Sequence, residues 1–167
     1  MELVKILINA GADVHLRSKH GKIPLHHLRY HLDGKAEIAR LLLDAGSEVN
    51  ARDRFNQTAL HEVDYRRIDN SIDNSKIIFI LIAWGAEIDP QDVFGATPLR
   101  RAIMNGNALH TEILVSLGAS LEKAKISHGT TYAKFAEMME DDVIIAAIDL
   151  GKSPMGEKWR KELQKYH

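Results

Sequence analysis

A short ending, glycine followed by a small residue, recurs along this chain at nearly constant spacing. Gly11-Ala12-Asp13-Val14, Gly46-Ser47-Glu48-Val49, Gly85-Ala86-Glu87-Ile88 and Gly118-Ala119-Ser120-Leu121 each close an apolar run, and Gly151 continues the series at intervals of 33 to 39 residues. A second signal repeats in phase about ten residues later: Ile23-Pro24-Leu25-His26, Thr58-Ala59-Leu60-His61 and Thr97-Pro98-Leu99-Arg100. A period of this length means a stack of supersecondary units rather than one compact core. In such a stack each unit touches only its neighbours, and the extended face is the usual place for function.

The two signals together resemble the ankyrin-repeat family, through its Thr-Pro-Leu-His signature and its Gly-Ala-Asp-Val-Asn ending. The resemblance covers about residues 1–151. It implies an all-α ankyrin-repeat solenoid of helix-turn-helix units with short hairpin fingers. The expected divisions are a half repeat at 1–16 and units near 17–51, 52–90, 91–124 and 125–151. Residues 152–167 are expected to form a C-terminal capping helix, since Met155, Trp159, Leu163 and Tyr166 fall on one helical face. A half repeat at the start leaves Leu3, Ile6 and Leu7 without cover. Either the native protein is longer or the first helix is itself a makeshift cap. The segment Ile68 to Ser75 reads as a polar tetrapeptide written twice and is expected to be a solvated insertion.

Composition narrows the function classes. The 167 residues carry a formal net charge of −1, which gives no bulk attraction to nucleic acid or an anionic membrane. No cysteine is present, so disulfides and thiolate metal sites are excluded. No apolar stretch approaches membrane-spanning length. His27 and His31 are four residues apart beside His26, the spacing of a helical zinc pair, but no third ligand or general base accompanies them. Gly151-Lys152-Ser153 resembles the end of a phosphate loop, yet Ala146 stands where that loop needs glycine. These readings lead to no catalytic residue, no metal and no cofactor. The chain is expected to be a cytoplasmic monomer; a nuclear location, or a host cytosol for a secreted effector, is the alternative address.

The positive signal lies at the finger tips. His20, Phe55, Phe94 and His128 stand one position before the turn residue of successive units, with Lys19 and Arg54 one place earlier. Tyr30, Tyr65, Met104 and Met138 end the first helices. By the resemblance, these positions line the concave face, where four fingers present a strip of roughly 30 Å. Lys22, Arg29, Gln57, Arg66 and Arg101 border it. Aromatic side chains flanked by arginine are typical interface anchors. Packing of Phe55 and Phe94 on neighbouring fingers is the competing explanation. The expected partner is another protein, with an acidic or phosphorylated segment, bound by a non-catalytic scaffold or adaptor. The alternative is a targeting segment of a larger enzyme or secreted effector whose active part lies elsewhere. Phe79 and Trp84, on an outer helix, form a possible second surface, either burying Ile68 or Ile72 or meeting a partner. His110 and Thr111 sit at positions the family keeps apolar, which suggests a weaker or hydrated junction between the third and fourth units.

Overall fold

The computed structural model describes residues 2–28, 34–63, 72–123, 142–152 and 156–166. Among these, eight α-helices and two 3-10 turns alternate with tight loops, and no strand is present. The helices are α1 (Glu2–Asn9), α2 (Lys35–Asp44), α3 (Ala59–Glu62), α4 (Ile72–Ala83), α5 (Pro98–Met104), α6 (Ala108–Ser116), α7 (Asp142–Lys152) and α8 (Glu157–Leu163). The 3-10 turns are Pro24–His27 and Gln164–Tyr166.

The repeated glycine ending has one mechanical cause. At the end of α2 the Gly46 N–H donates to Leu43 O and the Ser47 N–H to Leu42 O, both at 2.9 Å, with Gly46 at φ 88°. This closure satisfies carbonyls that the helix leaves unpaired and needs a residue without Cβ strain. The same pair of bonds closes α1, α4 and α6. Gly151 is different: α7 runs through it to Lys152, so the fifth glycine in the series does not end its helix.

Inner-helix starts follow from the second signal. Thr97 Oγ1 accepts the Arg100 N–H at 3.2 Å, and Pro98 fills the first helical position, where a missing N–H costs nothing. The insertion is shorter than expected. Its second tetrapeptide belongs to α4, which is helical from Ile72, and Ser75 is buried. Polar residues are well tolerated in a first turn, whose N–H groups have no intrahelical partners. Residues 64–71 lie outside the described residues.

Units stack by like on like. The outer helices α1, α2, α4, α6 and α7 contact in sequence, and the Pro24–His27 turn, α3 and α5 form the inner row. The core runs continuously through this stack, from Val14 and Ile23 through Leu42, Leu60, Leu81, Leu99 and Ile113 to Ile144 and Ile148. Each such side chain removed from water contributes about 1.5–3 kcal/mol. At the α6/α7 junction His110 and Thr111 are buried, and the Thr111 hydroxyl donates to Asn107 O at 2.8 Å. That bond satisfies the Thr111 hydroxyl within α6. As the half repeat implies, Leu3, Ile6 and Leu7 of α1 are exposed.

The tail is helical, and among the described residues it packs across the outer face of α4 and α6. Phe79 of α4 is only 2% exposed beneath it, stacked at 5.9 Å on Trp159 and 6.1 Å on Tyr166. Phe79 is therefore not a free outer surface, and it is covered by the chain's own tail. Trp84 is half-buried, with the Arg40 guanidinium 6.0 Å from its ring centre. Met155 lies outside the described residues.

Candidate protein-interaction surface

The fingers are built by main-chain bonds and small acceptors. In the second finger Asp53 Oδ1 accepts the N–H groups of Phe55 and Gln57 at 2.8 and 2.9 Å. In the third, Asp92 Oδ1 does the same for Phe94 and Ala96, at 2.9 and 2.8 Å. Ser18 Oγ plays this part more weakly in the first finger, at 3.3 Å to both His20 and Lys22. Each carboxylate or hydroxyl thus folds its own turn. Asn56 takes a left-handed conformation, φ 62°, where the first and third fingers have Gly21 and Gly95. Asparagine is among the few residues with a side chain that adopt it readily.

Successive fingers are then joined by backbone rungs. The Arg54 N–H donates to His20 O and the Val93 N–H to Phe55 O, both at 3.0 Å. Two buried histidines add a second lock. Ile23 N–H donates to His26 Nδ1, leaving Nε2–H to reach Gln57 O at 3.0 Å in the next finger. Thr58 N–H donates to His61 Nδ1, and His61 Nε2 reaches Ala96 O at 3.0 Å. The bond at Nδ1 fixes the tautomer of each neutral ring. With both nitrogens engaged, His26 is spent on the stack and adds nothing to a zinc pair; His31 lies outside the described residues. Burial lowers the pKa of His26, and it pushes that of His61 down to about 4, outweighing the Ala96 carbonyl. Among the described residues no group of three His, Cys, Asp or Glu converges.

Several expected edge cations prove to be internal. Lys22 Nζ lies 2.6 Å from Glu62 and 3.7 Å from Asp53, which ties the first unit to the second. Arg101 lies 3.0 Å from Asp92. Gln57 is buried between the two pairs. A carboxylate can only accept and a guanidinium can only donate, so its amide nitrogen faces Glu62 at 3.0 Å and its oxygen faces Arg101. Burial alone raises the Asp92 carboxyl, but the Ala96 and Phe94 N–H groups and Arg101 outweigh it and hold it below the usual range. Lys22, Gln57 and Arg101 thus belong to the inter-unit framework. Lys19, His20 and Arg54 remain exposed.

The rings behave differently. Phe55 is 46% exposed, Phe94 71% and Met104 57%. The main chain holds the fingers in register, so these side chains are not consumed in doing it. Phe94, Met104, Arg100, Arg101, Asp92, Ala96 and Asn105 line a depression of about 300 Å³ between the third finger and α5. Arg100 was missed by sequence reasoning, although its replacement of the signature histidine was a visible signal. Tyr30, Tyr65, Arg66 and His128 lie outside the described residues.

Stacked helix pairs joined finger to finger, with apolar side chains left open along the finger edge, define a helical-repeat protein of the interaction-module class. The family model described as Ankyrin repeat matches residues 20–54, spanning the first finger through the start of the second. Over that stretch the chain is similar to the ankyrin-repeat family, whose units are typically binding modules and not catalytic ones. No curated protein matches the chain.

Proposed function

We propose that this chain binds a partner protein along its finger and inner-helix side, in the concave groove. One observation carries the reading: Phe55, Phe94 and Met104 stay open to solvent on fingers that main-chain bonds already hold together. Exposed apolar side chains on a rigid frame lose little conformational freedom on binding, which lowers the entropic cost of association. Large aromatics at the centre of such a strip supply most of an interface's energy.

The partner segment is apolar where it meets the rings and acidic or phosphorylated where it meets Lys19, His20 and Arg54. Charge there favours encounter and orientation more than final affinity. The chain acts without catalysis, as an adaptor or scaffold.

The test is capture from lysate by the wild-type chain and by the Phe55→Ala/Phe94→Ala double variant, with helicity checked by circular dichroism. A protein retained only by the wild type supports the reading. Equal retention by a folded double variant removes the finger side from consideration.

A further inference from the structure

The outer face presents a second, independent contact whose two halves belong to different kinds of structure. Every repeat helix from α2 to α7 contributes fully buried side chains, whereas α8 contributes none. Trp159, Leu163 and Tyr166 are each only partly buried where they meet the core. They lie over Phe79, which is 2% exposed with the tail in place. The seat is thus buried more completely than the helix that covers it, as a receptor groove is beneath its ligand.

The polar contacts have the same character. Trp159 Nε1 donates to Glu112 Oε1 at 2.7 Å, and Lys158 Nζ pairs with the same oxygen at 3.0 Å. Arg160 Nε donates to Ser116 O at 2.9 Å, at the carbonyl end of α6, where the helix dipole favours a cation. The seat thus reads a defined chemistry. It takes a helix with Trp, Leu and Tyr at i, i+4 and i+7, and bases on both sides of the Trp. Residues 156–166 carry four basic and two acidic side chains, complementary to Glu112.

We propose that the outer face of α4 and α6 is a helix-binding site, that the tail is its ligand in cis, and that a second copy of this chain can supply the same ligand in trans. Three residues separate Lys152 from Gly156. A connection that short holds the tail at an effective concentration on the order of millimolar, so at lower protein concentrations the cis arrangement wins. The site opens to a second copy in proportion to the fraction of chains whose tail has lifted.

The probe is a fluorescently labelled synthetic peptide of residues 153–167. It is added to the full chain and to the full-length Trp159→Ala/Tyr166→Ala variant, whose own tail has lost both stacking rings. Anisotropy should show at least tenfold tighter binding to the variant, because the wild-type seat is already held. Adding Glu112→Ala to that variant should weaken binding at least fivefold. Equal affinity for both chains overturns the proposal, as does absence of binding to a variant that retains its helicity. Should the variant fail to fold, hydrogen exchange on the unmodified chain decides. Amides of 157–166 exchanging at least tenfold faster than those of α4 and α6 support a tail that lifts; equal protection overturns it.

Discussion

The finger side and the outer side both carry aromatic rings, and the molecule treats them oppositely. Phe94 at a finger tip is 71% exposed, while Phe79 on an outer helix is 2% exposed. The difference is not in the rings. Finger tips are joined to one another by backbone bonds, which leave their side chains uncovered. The outer helix α4 has α2 and α6 on either side, α3 in front and the tail behind. A ring on the fingers is therefore available for a partner, whereas a ring on α4 contributes to stability.

The largest expected effect breaks the outer side. Phe79→Ala removes a buried ring and the platform for Trp159 and Tyr166, and should cost about 3–5 kcal/mol, read as a lower midpoint in urea unfolding. A loss under about 1 kcal/mol would show that the tail does not depend on that ring.

Next comes the lock between units. His61 is neutral when folded, with its pKa pushed down to about 4, whereas an unfolded histidine titrates near 6.5. Above pH 6.5 neither state binds the proton and the lock is fully present. As pH falls from about 6.5 towards 4, the unfolded chain gains a proton that the folded chain excludes, so stability declines. His26 contributes in the same direction. Between pH 7 and 5 the expected loss from His61 is about 2 kcal/mol, and His61→Gln should flatten that slope in paired urea titrations.

A smaller cost belongs to the second finger. Asn56→Ala places a Cβ-bearing residue with no local bonding group at φ 62° and removes the bond from Nδ2 to Gln91 O. About 1–2 kcal/mol should be lost, measurable by thermal unfolding, whereas Asn56→Gly should recover most of it.

The smallest stability effect sharpens the contrast. Phe94→Ala should change unfolding free energy by less than about 0.5 kcal/mol, as exposed substitutions generally do. A cost near that of Phe79→Ala would mean that the finger ring supports the fold after all.

Much of the architecture was legible because local chemistry enforces it. Gly46 and its equivalents close helices, Thr58 and Thr97 start them, and His26 and His61 sit where a buried ring can join two units. The reading failed where distant chain decides the environment. Lys22 and Arg101 look like edge cations until Glu62, Asp53 and Asp92 are placed beside them. Gln57 looks like surface until Glu62 and Arg101 enclose it. The tail's stripe of Trp159, Leu163 and Tyr166 announced an amphipathic helix but not its seat. One overlooked signal did point there. The stretch Ile77-Ile78-Phe79-Ile80-Leu81 is apolar all round, and a helix of that kind must be covered on every side.

The sequence by itself determined the repeat, its period, and the caps and turns of the described units. These depend on residues within a few positions of one another, through backbone bonds and allowed dihedral angles. Only the tertiary structure decided which cations are internal, which rings stay open, and that the last helix lies across α4 and α6. Those outcomes rest on burial and pairing between separate elements, from nine positions apart for Arg101 and Asp92 to 87 for Phe79 and Tyr166, and no local pattern encodes them.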